Sequence, residues 1–138
     1  MLRCLLTIAV VTCLTASADA FPQFQKEFWK KYADGTDETY TKLVKKEAKC
    51  NVCHQGKKKK NMNAYGDALH EYLGKKDKKD VEKIVSSLET VAGESSDPSD
   101  PNAPTFGELI AEGKLPGGTL EEVRVEPEGS DEGEDEEE

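Results

Sequence analysis

The sequence predicts a small all-α domain, and three observations carry that prediction. Apolar residues recur at helical spacing in five separate stretches, while no stretch alternates convincingly as a strand would. Helix start and stop signals bracket those stretches. The charge is unevenly spread: residues 121–138 carry a net charge of −10, while residues 21–120 carry +1. The overall charge of −9 therefore describes the C-terminal end and not the body of the chain.

The first pattern holds Phe21, Phe24, Phe28 and Tyr32, with Trp29 beside Phe28 and Pro22 tolerated in the first turn. Asp34-Gly35 stops it. The second is expected to start with Thr36 as N-cap, and Asp37 and Glu38 favour the positive end of the helix dipole. Its apolar positions are Tyr40, Leu43, Val44 and Ala48, and it runs directly into Cys50. A third helix is expected from about Asn63, with Ala64, Ala68, Leu69, Tyr72 and Leu73 on one face and Gly74 at its end. After Asp80, the residues Val81, Ile84, Val85, Leu88, Val91 and Ala92 form an unbroken apolar stripe. A polar loop with three prolines follows, and then Thr105-x-x-Glu108, a capping box, opens a short helix that Gly113 closes.

The ends read differently. Arg3, the apolar run from Cys4 to Leu14, and Ala18-Asp19-Ala20 have the order of an export signal, expected to be removed before Phe21. That places the mature protein in the periplasm, with no membrane span, and leaves Cys50 and Cys53 as its cysteines. Three regions are therefore expected: a signal over 1–20, a folded domain over 21–120, and an acidic tail over 121–138. With its glycines and no large apolar residue, the stretch from Glu126 onward is expected to stay disordered. The helical stripes are narrow, so the core of a domain this short is marginal without a large apolar cofactor between the helices.

Cys50-Asn51-Val52-Cys53-His54 is a C-x-x-C-H sequence, the attachment signature of covalently bound haem. Two thiols at this spacing can each add to one vinyl group on the same porphyrin edge. The histidine that follows is then held beneath the ring as an iron ligand. Two other readings compete. A redox disulfide of thioredoxin type needs a βαβ context that this chain lacks. A structural zinc site would have to recruit His70 to Cys50, Cys53 and His54 at an unusual spacing.

On these residues the chain resembles the small monohaem c-type cytochromes of bacteria. It also looks like a group of exported bacterial proteins with Lys49 to His54 as Lys-Cys-Asn-Val-Cys-His, a lysine run at Lys57 to Lys60, Asn-x-Tyr-Gly at Asn63 to Gly66, and Gly-Lys-Leu-Pro-Gly at Gly113 to Gly117. The resemblance implies a helical cytochrome c-like fold over about residues 21–120 that wraps one covalent haem c. It also implies one-electron transfer between partners. In one respect the chain departs from that family: no methionine follows Met62, where a downstream sulfur ligand is usual.

For the second iron ligand, Met62 is the leading single candidate. Eight residues separate it from His54, which gives a path of at most about 26 Å. His70 falls near 240° on a wheel whose apolar arc covers roughly 0° to 180°, so it is expected to point away from the core. A lysine or an open site completes the alternatives, and an open site would suit a small-gas sensor instead of an electron carrier. A haem-free adaptor with a Cys50–Cys53 disulfide is the reading from a third class. Lys57, Lys58, Lys59 and Lys60 form either a solvated surface or a docking patch for an acidic redox partner. No catalytic constellation, phosphate loop or nucleic-acid patch is present, and a monomer that is not an enzyme is expected.

Overall fold

The computed structural model describes residues 22–129. The expected export signal over 1–20 and the acidic stretch from residue 130 onward lie outside the described residues. Five helices and one small sheet make up the described fold: α1 (Pro22–Tyr32), α2 (Glu38–Lys42), β1 (His54–Gln55), β2 (Asn61–Met62), α3 (Ala64–Tyr72), α4 (Val81–Ala92) and α5 (Phe106–Ala111). The chain is mostly helical, as the periodicity predicts. The antiparallel pair of β1 and β2 is an addition, with His54 opposite Met62 and Gln55 opposite Asn61. Two residues per strand show no alternation, which is why the sequence carried no strand signal.

α4 is the helix on which α1, α3 and α5 rest. Its stripe of Ile84, Leu88 and Val91 is buried, and α1, α3 and α5 all pack against it. A chain of aromatic contacts ties the layers together. Phe28 of α1 meets Tyr65 of α3 edge-on at 5.8 Å, and Tyr65 meets Phe106 of α5 at 5.2 Å. Such tilted contacts place ring edges against ring faces and add to the gain from burial. The Tyr32 hydroxyl donates to the Leu88 carbonyl at 2.9 Å, pinning the end of α1 to α4. Burial pushes that phenol up to about 12, with Glu89 adding to the shift.

The caps follow the sequence with one difference. Asp80, Asn63 and Thr105 open α4, α3 and α5, and the Thr105–Glu108 capping box is formed on both sides. α2, however, is capped by Asp37 and not by Thr36. The Asp37 carboxylate accepts from the Thr39 and Tyr40 amides at 2.8 and 3.1 Å, whereas the Thr36 hydroxyl donates to the Ala33 carbonyl. A carboxylate is both an acceptor and a charge matched to the dipole, so it takes the position from a hydroxyl one residue away. Among the described residues no helix is long and apolar enough to cross a membrane.

The boundary expected at residue 120 needs correction. Glu122–Arg124 form a short 3-10 turn, and Val123 within it is fully buried. Acidic composition masked this single apolar anchor: Val123 belongs to the core, while Glu121, Glu122 and Arg124 around it face solvent. A chain ending at Leu120 should unfold at lower denaturant, losing roughly 2 kcal/mol or more from the missing valine and its backbone bonds. A chain ending at Gly129 keeps all of these contacts and should match the full-length protein.

Candidate functional site

The C-x-x-C-H residues form a turn whose shape follows from how α2 ends. After Lys42 the helix widens into a π-helical segment, Leu43–Ala48, and then tightens into a 3-10 turn, Lys49–Val52. Lys49 stands at the junction with φ 52° and ψ −113°. That is the corner of a type II′ turn, a conformation glycine ordinarily fills, and it costs a lysine about 1–3 kcal/mol. Beyond this corner Val52 is buried in the core, Cys53 is partly buried against it, and Cys50 is partly exposed. A 3-10 turn has three residues per turn, so Cys50 and Cys53 lie on one side of it. The Cys53 amide closes the turn on the Cys50 carbonyl at 3.2 Å.

Two asparagines hold this turn from behind. Asn63, only 4% exposed, directs its side-chain amide nitrogen at the carbonyls of Asn51, Val52 and His54, at 3.0, 3.2 and 3.4 Å. Its side-chain oxygen accepts from the Gly66 amide at 3.0 Å, and its backbone amide donates to the Cys53 carbonyl at 3.0 Å. Asn51, inside the motif, directs its own side-chain nitrogen at the carbonyls of His54, Gly56 and Val123. One side-chain amide thus serves carbonyls that a turn of irregular shape would otherwise bury without donors.

Gly66 and Gly117 let these groups approach. A Cβ on Gly66 would lie 2.0 Å from the Cys53 carbonyl oxygen, and one on Gly117 would lie 2.3 Å from the Asn63 side chain. The C-terminal segment closes the far side. The Gly56 amide donates to the Val123 carbonyl at 2.8 Å, and Gln55 donates from its side chain to the carbonyls of Glu122 and Val125. Arg124 reaches the Glu47 carbonyl at 3.1 Å, and the Lys58 amide donates to the Glu126 carboxylate at 2.8 Å.

In front of the turn is a cavity of about 370 Å³. Pro22, Phe24, Gln25 and Phe28 of α1 form one part of its wall, and Lys49, Cys50, Val52, Cys53 and His54 with Met62 form another. Gly66, Leu69, His70 and Leu73, at helical spacing on α3, complete the lining together with Gly74 and Lys75. Cys50, Cys53, His54, Met62 and His70, the residues singled out in the sequence, all border this one space. His70 points away from the core, as expected, and in addition borders the cavity. Its side chain is exposed, yet it lies on the α3 stripe that borders the cavity, not on the Tyr65 side that faces the core.

No family model, curated protein or solved structure matches this chain. The chemistry of the site is therefore argued from its own groups. Both cysteines are free thiols. Burial pushes the Cys53 thiol up to about 12, and the neighbouring Cys50 adds to the shift. Burial holds His54 below the usual imidazole range, with the charge of Lys59 acting the same way; the backbone carbonyls of Asn61 and Lys59 oppose it. Its Nδ1 is buried without a hydrogen-bond partner among the described residues. A neutral imidazole with an unsatisfied nitrogen, beside two thiols on one side of a turn, fits the donor set of a thioether-bound haem. Among the described residues no group of three or more His, Cys, Asp and Glu side chains converges on a metal ion.

Lys57, Lys58, Lys59 and Lys60 lie exposed on the loop joining β1 to β2, immediately beyond His54. The structure brings them beside the turn, as the sequence expectation required.

Sequence reasoning missed the asparagine scaffold. Asn63 was read as the start of α3, which it is, but its second task needs three carbonyls contributed by residues 51–54. Only the folded turn brings these together.

Two outcomes are expected. Asn63→Ala should destabilise the protein by roughly 2–3 kcal/mol in chemical denaturation, because buried carbonyls lose their donor. Asn63→Asp should do no better, since a carboxylate can accept from Gly66 but cannot donate to those carbonyls. In haem-free protein at neutral pH, an alkylating reagent should label Cys50 well before Cys53, because only the thiolate reacts and burial keeps Cys53 protonated. Peptide mapping of partly labelled protein checks the order.

Proposed function

We propose that this chain is an exported, periplasmic monohaem c-type cytochrome that carries one electron at a time between partner proteins. The observation that supports this reading best is the convergence of Cys50, Cys53 and His54 on one apolar cavity. Cys50 and Cys53 would hold the group through thioether bonds, and His54 would supply a nitrogen ligand to its iron. When bound, haem supplies a one-electron couple.

The chain's own residues perform the remaining tasks. The Asn51 and Asn63 amides fix the turn, so that both sulfurs and the imidazole are positioned before the cofactor arrives. Phe24, Phe28, Leu69 and Leu73 line the cavity and would lower the dielectric around a bound haem, a lever on the potential. Cavities that hold small molecules and cofactors commonly measure about 300–1,000 Å³, a range that includes this one. The four lysines of the β1–β2 loop would steer an acidic partner toward the His54 edge. A redox disulfide of thioredoxin type fits less well, since the described elements give Cys50 and Cys53 no βαβ setting.

Protein produced with a cytochrome c maturation system should retain its haem through acid–acetone extraction. The double variant Cys50→Ser/Cys53→Ser should release it, and His54→Ala should keep the covalent haem but lose the low-spin spectrum. Wild-type protein whose haem washes out would refute the proposal.

A further inference from the structure

The cavity contains more than one group able to bind iron, and the position of each decides which can act opposite His54. The inference below rests on the haem reading given above. Met62 stands directly across the β1–β2 pair from His54. Directly paired residues on antiparallel strands project from the same face with Cβ atoms about 5 Å apart. Met62 and His54 therefore approach any flat ring side by side, and two side-by-side groups cannot occupy opposite faces of it. The Met62 Cβ is also packed against the first turn of α3, 3.1 Å from where a Gly66 Cβ would stand.

His70 comes from a different element. Gly66, Leu69, His70 and Leu73 repeat at i, i+3, i+4 and i+7, the stripe of α3 that borders the cavity. One turn of helix separates His70 from Gly66, which touches the Cys53 carbonyl. His70 thus borders the cavity from α3, an element other than the hairpin that carries His54. Lys49 and Lys75 also border the space.

We propose that His70 is the second axial ligand, so that the haem iron is held by two imidazoles, His54 and His70, and Met62 serves only to pack the base of α3. Two nitrogen ligands would set a lower potential than a histidine–methionine pair, since thioether ligation raises it. They would also make the protein an electron carrier and not an open gas-binding site.

The test uses full-length protein matured with haem, its covalent retention established first by acid–acetone extraction. Loss of haem at that step refutes the haem reading itself and this proposal with it. With haem retained, electron paramagnetic resonance and near-infrared magnetic circular dichroism of the ferric protein should show a low-spin iron with two nitrogen ligands. His70→Ala should become high-spin, and added imidazole should restore the low-spin signal. If His70 occupies the iron at least nine-tenths of the time, its removal should raise the apparent affinity of the ferrous protein for carbon monoxide by about tenfold or more. Met62→Ala should leave the spectra unchanged. A nitrogen–sulfur signature lost in Met62→Ala, a high-spin wild type, or a His70→Ala variant that stays low-spin without added imidazole would each overturn the assignment.

Discussion

The arrangement of this molecule depends on the side-chain amide of Asn63. Residues 50–54 pass from a short 3-10 turn into the two-residue strand β1, so the carbonyls of Asn51, Val52 and His54 need donors from elsewhere. A buried carbonyl left without a donor costs free energy, and several such costs together would unravel a domain whose whole stability is of order 5–15 kcal/mol. Asn63 offers two N–H groups to three of these carbonyls and ties its own oxygen to the first turn of α3. The turn and the helix are thereby fixed to each other. Asn51 repeats the device in the other direction, linking the same turn to Val123 near the C-terminus.

Other features follow from that constraint. Glycine is required at 66 because α3 must start against the Cys53 carbonyl, and at 117 because the backbone there passes the Asn63 amide. The strained Lys49 corner persists because the hydrogen bonds beyond it over-determine the path of the chain. The π-helical segment before it shifts the register of α2, and such segments frequently accompany functional sites. Without the widened turn, the sulfurs would leave the helix in a different direction. The scaffold therefore determines where Cys50, Cys53 and His54 face, while the cavity walls determine what they face.

Much of this fold was legible in the sequence, for identifiable reasons. α4 shows a broad apolar stripe with a capping aspartate, and both signals are local, so sequence and structure agree. The Thr105–Glu108 box is legible for the same reason. The Cys50, Cys53 and His54 spacing is visible because the chemistry it would serve needs neighbours in the chain. The illegible features are those whose partners lie far away: Val123 buried under acidic neighbours, the two-residue strands, and the asparagine scaffold. His70 is legible in part: the helical wheel places it away from the core, where the structure leaves it exposed, but the wheel cannot show that the same side of α3 borders a cavity.

The cavity links the fold to whatever fills it. Phe24, Phe28, Leu69 and Leu73 lack neighbours on one side for as long as the space is not filled by an apolar group, and dispersion contacts are lost with that side. Phe28 and Leu69 also belong to the main core, so an occupant would brace the contacts between α1 and α3 that run through Phe28 and Tyr65. A ligand that binds only the folded state stabilises it by mass action, and covalent attachment removes the dependence on its free concentration. Under the proposed function, attachment through two cysteines would answer the modest core: a bound apolar group would supply the interior that the short helices cannot.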